Sequence, residues 1–223
     1  FGTEAMRACF SDEAILGAYC EVEAALARVQ ARLGLIPADA ADAICAAARV
    51  ENLDLAEIKR ETEIVGYPIL PLVRAIAKAC PGRHGEYAHW GATTQDIMDS
   101  GIALQLQKAL AQVGEELDGV AAALAKLAVE HRDTVMAGRT HLQHALPVTF
   151  GYKAGVWLSG IDRHRQRLAE LRPRVEVGQF AGAAGTLASL GKDGMAVSDA
   201  LMAELGLGRP SMRRDVGRAR YAR

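Results

Sequence analysis

The sequence predicts an all-α protein: a bundle of long helices with a small helical N-terminal domain. Three observations predict this. The 223 residues are 50% hydrophobic but only 5% aromatic, with long alanine and leucine runs, a composition that favours helices. Apolar residues recur at alternating spacings of four and three from Ile15 to Leu33 and from Leu106 to Leu127. Two of these patterns are very long, on the order of 57 Å and 39 Å at a rise of 1.5 Å per residue, more than a compact domain of this size covers easily.

Ser11, followed by Asp12 and Glu13, is a helix start, with a capping hydroxyl and acidic residues at the positive end of the dipole. Ile15, Tyr19, Val22, Leu26, Val29 and Leu33 form its apolar seam until Gly34 stops it. Pro37 opens an alanine-rich helix that ends near Val50, Asp54 caps another that runs to Gly66, and Pro68 and Pro71 begin a shorter one that ends near Cys80. From Pro81 to Gly91, three glycines, a proline and two histidines break the pattern, which sets the expected boundary between an N-terminal domain of residues 1–85 and a bundle domain of residues 86–223.

The loop ends in a polar group, His89, Thr93, Thr94, Gln95 and Asp96, and Thr93 or Thr94 can cap the helix that follows. Two hydroxyls at a helix N-terminus, beside unsatisfied amides, suit a carboxylate or phosphate; an ordinary cap accounts for one threonine but not for the group. The long helix runs from about Thr93 to Glu130, with Leu106, Leu110, Val113, Leu117, Val120, Leu124 and Leu127 at strict four-three spacing, the pattern of a coiled coil or long bundle. Gly114 and Gly119 lie off that seam, where they can admit a close neighbour.

Gly138 to Gly151 is the densest polar stretch, carrying Arg139, Thr140, His141, Gln143, His144 and Thr149. Arginine pairs with carboxylates, threonine and glutamine both donate and accept, and imidazoles carry protons near neutral pH. Buried, this is a pocket wall; exposed, it is a solvated connection. Pro147 is expected to start the next helix, so that the cluster sits between two helices, and Pro173 to stop that helix after Arg172. His141 and His144 share helix-face spacing but lack a carboxylate at metalloprotease spacing or a nearby cysteine, so no metal site is expected. Residues 178–191, GQFAGAAGTLASLG, hold too much glycine for a stable helix and read as a tight crossing or a ligand-touching loop. A further helix is expected over Met195 to Leu205, and the basic residues 210–223 read as a disordered tail.

Net charge is −1, from 26 basic and 27 acidic residues, which gives no global field for nucleic acid or an anionic membrane. No apolar run approaches the roughly 18 residues of a membrane span. Cys9, Cys20, Cys45 and Cys80 are widely spaced and form no CxxC pair, so they read as free thiols of a reducing, cytoplasmic compartment. The chain opens on Phe1, which points to residues preceding it.

HWGATTQDIMDS (89–100) and GRTHLQHALPVTFG (138–151) resemble two of the three sequence blocks that mark the fumarase/aspartase superfamily. FGTEAMRACFSDEA at the start and QFAGAAGTLASLG near residue 180 look most like the branch that holds 3-carboxy-cis,cis-muconate cycloisomerase, with adenylosuccinate lyase a close relative. The resemblance covers the chain up to about Leu207. It implies a homotetramer built on a core of long helices, with each active site assembled from three subunits and no cofactor. It also implies anti elimination, or its reverse, beside a carboxylate of a small polycarboxylate. A base removes the α-proton, fixed donors stabilise the resulting aci-carboxylate, and an acid protonates the leaving group.

By the family pattern, His141 matches the histidine of the acid role and Thr140 a neighbouring substrate contact. Thr93, Thr94, Gln95 and Asp96 match the block that binds substrate carboxylate, and His89 matches a pocket histidine of adenylosuccinate-type lyases. Arg139, Gln143 and His144 complete the second polar group. The resemblance favours 3-carboxymuconate cycloisomerisation, a reaction of aromatic catabolism. In those cycloisomerases tryptophan commonly stands where this chain has His141, and that histidine, with His89, supports instead a carbon–nitrogen lyase that releases fumarate. The third block, a glycine- and serine-rich loop carrying the serine base, is absent from the sequence, and only Arg214 and Asp215 resemble what precedes it. The expectation is that the chain continues beyond Arg223; otherwise a non-catalytic helical scaffold is the competing reading.

Overall fold

The computed structural model describes residues 2–211, and the basic stretch from Met212 onward, with Arg214 and Asp215, lies outside the described residues. The fold is mostly helical, with eight α-helices and one two-stranded sheet among the described residues. Internal contacts divide the chain into two compact units, Phe1–Gln107 with Val175–Arg223, and Lys108–Arg174.

In the first unit, a short helix α1 (Glu4–Ala8), capped by Thr3, precedes the expected start of the chain's regular structure. Helix α2 (Asp12–Arg32) begins where expected, with the Ser11 hydroxyl accepting from the Ala14 N–H at 3.2 Å. Its central residues Tyr19, Val22, Leu26 and Val29 are buried, so the seam read from the sequence is the core face. Helix α3 (Ala38–Ala47) follows Pro37, and helix α4 (Leu55–Val65) is capped by Asp54, whose carboxylate accepts from the Glu57 N–H at 3.0 Å. Gly66 closes α4 in the left-handed conformation with φ 91°, and helix α5 (Ile69–Ala79) adds Ile69, Leu72 and Ile76 to the core.

Helix α6 (Thr94–Glu130) has the predicted extent, and helix α8 (Gly194–Glu204) lies within a residue of its expected span. Val197, Leu201 and Met202 of α8 join α2 and Phe180 in a single apolar cluster. At about 25 cal/mol per Å² of apolar surface, each such fully buried side chain stabilises the fold by roughly 1.5–3 kcal/mol.

The second unit corrects two expectations. The polar stretch connecting the two long helices is a β-hairpin, β1 (Val135–Thr140) paired antiparallel with β2 (Gln143–Thr149). Pro147 therefore does not start a helix: it pairs with Ala137 inside β2, and helix α7 (Phe150–Val175) begins three residues later. A two-stranded ribbon has only edge strands, so the N–H that proline lacks need not be missed. Gly138 sits at a register shift, and a side chain there would lie 2.3 Å from the Leu146 carbonyl oxygen; the glycine is required by close backbone approach rather than by a turn. Nor does Pro173 stop α7, which continues to Val175: in a last turn the missing N–H costs a single helical bond.

The seam of α6 is incompletely covered in the second unit. Val113 and Val120 are 38% and 43% exposed, although Leu117, Leu124 and Leu127 are half-buried. Gly114 meets the Leu168 side chain of α7 at an ordinary 3.6 Å, while nothing lies within 4 Å of a side chain placed at Gly119.

Candidate active site

The first polar group is built around the N-terminus of α6. Asp96, the third residue of the helix, is 2% exposed and accepts three backbone N–H groups: Thr93 at 3.0 Å, Ala181 at 2.9 Å and Gly182 at 2.9 Å. The first bond is half of a capping box, in which a side chain at the third helical position reaches back to the cap residue's amide. The other two tie the start of α6 to the glycine-rich segment read from the sequence as a tight crossing. One turn further on, the Ser100 hydroxyl donates to the Gln179 carbonyl at 2.8 Å and accepts from the Gln179 N–H at 2.9 Å. Asp96 and Ser100, four residues apart on one helix face, thus hold residues 179–182 against α6.

Asp96 is consequently occupied by the fold. Burial pushes its carboxyl up, against the three amide donors and the charge of His89, which favour the ionised form. Thr93, Thr94 and Gln95 are half-buried beside it, and Gln95 donates its amide to Asp99 at 2.8 Å. The threonine hydroxyls and the first amides of α6 are what this end of the group offers to an anion.

His89 stands at the other end of the loop, in the left-handed region at φ 62°. Its Nδ1 lies 2.6 Å from Glu23 Oε1, and the Glu23 side chain is 1% exposed against 20% for the imidazole. Burial works to lower the imidazole's pKa, but the hydrogen bond and charge of Glu23, with the charge of Asp96, raise it overall. Glu23 was not among the expected site residues. The signal was present: it stands four residues after Tyr19 and three before Leu26, on the core face of α2, where a carboxylate needs a partner.

The second polar group lies on the hairpin of the second unit. Arg139, Thr140, His141, Gln143 and His144 are all exposed, with His141 and Leu142 forming the two-residue turn between paired Thr140 and Gln143. Among the described residues, none of these five polar side chains is engaged in a hydrogen bond or ion pair within the chain. In this chain the group is a presented surface rather than a buried wall. Leu142, 96% exposed, holds φ 55° at the tip, a conformation that costs a branched apolar residue roughly 1–2 kcal/mol. Among the described residues no cluster of three or more histidine, cysteine, aspartate or glutamate side chains has metal-binding geometry, and no helix is long and apolar enough to cross a membrane.

The chain is similar to known proteins. A family model described as Lyase matches residues 2–215. Trans-aconitate decarboxylase 1 of Mycosarcoma maydis is 46% identical over 93% of this chain and 42% of its own length. The 3-carboxy-cis,cis-muconate cycloisomerase of Pseudomonas aeruginosa is 48% identical over 92% of this chain and 45% of its own. The crystal structure of fumarate lyase from Mesorhizobium sp. BNC1 superposes with a TM-score of 0.89 at 56% identity, over 93% of this chain and 49% of that one. The chain thus spans somewhat less than half the length of these relatives. With the helical fold, the polar blocks in their expected order and these matches in agreement, the chain belongs to the lyase family of the fumarase/aspartase superfamily.

Proposed function

We propose that the protein carrying this chain catalyses cofactor-free acid–base elimination or addition beside a carboxylate of a small polycarboxylate, with cycloisomerisation of 3-carboxy-cis,cis-muconate as the leading reaction. The observation that carries this reading is the anchoring of the α6 N-terminus. Asp96, fixed by three backbone amides, leaves Thr93, Thr94 and the first helical N–H groups preorganised around a position suited to a carboxylate. Gln95 orients its neighbours through Asp99, and His89, close enough to Asp96 to feel its charge, is assigned to the same substrate pocket.

His141 supplies the acid. It stands at the hairpin tip with Thr140 as a substrate contact beside it, and Arg139, Gln143 and His144 furnish further donors. Exposure of this group supports an active site completed between subunits, as do Val113, Val120, Val129, Leu146, Val156 and Trp157, apolar side chains open to solvent in the second unit. A homotetramer with shared sites, residues 1–85 as its peripheral domain and 86–223 as part of its central bundle, belongs to the same reading.

A second reading is a carbon–nitrogen lyase that releases fumarate. It is favoured by His141, a group able to protonate a leaving nitrogen. Incubating the full-length protein with 3-carboxy-cis,cis-muconate and with adenylosuccinate separates the two. Loss of the diene absorbance without fumarate release is the expected result; fumarate release favours the second reading, and no turnover of either substrate rejects both.

A further inference from the structure

We propose that Glu23 is a positioning residue for His89, holding the imidazole by its Nδ1–H so that Nε2 is the nitrogen offered to the substrate. The inference rests on the reading above that His89 lines the substrate pocket.

The geometry carries it. A carboxylate oxygen 2.6 Å from Nδ1 leaves room for a proton shared between them but not for two facing lone pairs. With Glu23 ionised, Nδ1 is therefore the protonated nitrogen, and the neutral ring keeps its acceptor at Nε2. Among the described residues that nitrogen makes no hydrogen bond, and the ring is partly open while the carboxylate is sealed. Neutral, Nε2 takes a proton or accepts a hydrogen bond; protonated, it donates to a substrate carboxylate.

The backbone points the same way. His89 holds φ 62° and the neighbouring Gly91 φ 74°, so the turn bearing the imidazole is one that most side chains resist. Helix α2 grips that turn twice, with Glu23 on the ring and Gln30, seven residues along the same face, donating to the Trp90 carbonyl at 2.7 Å. Gln30 is fully buried, and a strained turn clamped at two points of a core helix is a fixed mount for its side chain.

The carboxylate is also single-purpose. Its second oxygen, Oε2, is buried and among the described residues has no hydrogen-bond partner, so the imidazole is the group the carboxylate holds. The other charged group acting on the ring is Asp96 of α6, whose oxygens are committed to three backbone amides. Glu23 is thus the group that sets the ring's orientation, with Asp96 adding charge from a second side.

The test uses the full-length protein, with Glu23→Gln and Glu23→Leu. Proton affinity at His89 is read by deuterium exchange at its imidazole C2 position, followed by mass spectrometry across pH. Turnover of 3-carboxy-cis,cis-muconate and of adenylosuccinate is followed in parallel. We expect His89 to bind its proton about tenfold more weakly in both variants. For the substrate that wild type turns over, the pH profile of kcat/KM moves with it. Glu23→Leu also raises KM on the order of tenfold, as a lost charge-assisted bond does, and Glu23→Gln restores KM because its amide oxygen still accepts the Nδ1–H. Proton affinity unchanged in either folded variant overturns the proposal, and so does a changed affinity with an unmoved pH profile. Absence of wild-type turnover on both substrates instead rejects the functional reading, and the exchange experiment then decides the hold of Glu23 on the ring by itself.

Discussion

The carboxylate of Asp96 accepts the backbone N–H of Gly182 at 2.9 Å across 86 residues of sequence, in a site where Asp96 is 2% exposed. With the bonds from Ala181 and Thr93, this makes one side chain responsible for closing the glycine-rich segment onto the start of α6. Asparagine keeps one acceptor oxygen but turns an NH2 toward backbone donors. We expect Asp96→Asn to lower the unfolding free energy by at least about 2 kcal/mol, since each buried donor left unpaired costs about 1–3 kcal/mol. Urea denaturation measures it. Stability equal to wild type would mean that water reaches these amides, and the anchoring argument would fail.

A second prediction sets two opposed effects against each other at Gly101, inside α6. Alanine is worth up to about 1 kcal/mol more than glycine in a helix interior. Yet a side chain carbon at Gly101 would lie 2.5 Å from the ring of Tyr19, which is 4% exposed and cannot swing into solvent. Overpacking of this kind costs about 1–3 kcal/mol, so packing outweighs propensity and Gly101→Ala should be net destabilising. A raised thermal midpoint would show that α2 and α6 part at little cost.

The elements that the sequence displays well are those fixed by local chemistry. Ser11 and Asp54 cap helices because their side chains sit beside unsatisfied amides, and Gly66 ends one because it tolerates a left-handed turn; these signals are local and are read directly. The hairpin of 135–149 escaped because Pro147 is compatible with a helix start or an edge strand, and only the pairing of Ala137 with Pro147 decides between them. Burial of the polar groups was not legible either. Asp96 and His141 look alike as members of polar clusters, but the first is committed to backbone amides 85 and 86 residues away while the second makes no such bond. Glu23 was missed because its partner His89 is 66 residues distant.

The raised pKa of His89 makes a pH-dependent contribution to stability. An imidazole whose folded value stands above its ordinary value of about 6.5 stabilises the fold fully below that pH. The contribution fades as pH rises through the raised folded value. The stability difference between wild type and His89→Gln should therefore be largest below about pH 6.5 and shrink as the solution becomes alkaline. A difference that stays flat from pH 5.5 to about 9 would remove the charge from the Glu23–His89 interaction.

Thiol reactivity offers an independent check of the core. Burial, with the charges of Glu23 and Glu51, pushes the Cys20 thiol up to about 12. Cys20 is only 2% exposed, so it has neither thiolate nor access at ordinary pH. Alkylation of the native protein at about pH 8 should modify Cys20 far more slowly than half-buried Cys9, and urea should erase the difference. Equal native rates would place α2 outside the core.

His141 separates function from folding most cleanly. It is exposed at the hairpin turn, makes no side-chain hydrogen bond among the described residues, and adjoins the strained Leu142. Surface substitutions without such partners usually change stability by less than about 0.5 kcal/mol, so His141→Asn should unfold at the wild-type temperature. As the proposed acid, it should nevertheless be indispensable: loss of a positioned proton donor typically lowers rate by about 10²–10⁴-fold. The expected pair of results is an unchanged thermal midpoint and a fall of that size in kcat for the full-length protein. Unimpaired turnover would remove His141 from the acid role. A fall in the thermal midpoint as well as in turnover would instead mean that the hairpin tip is buried against another subunit, which differential scanning calorimetry at two protein concentrations would reveal as a midpoint rising with concentration.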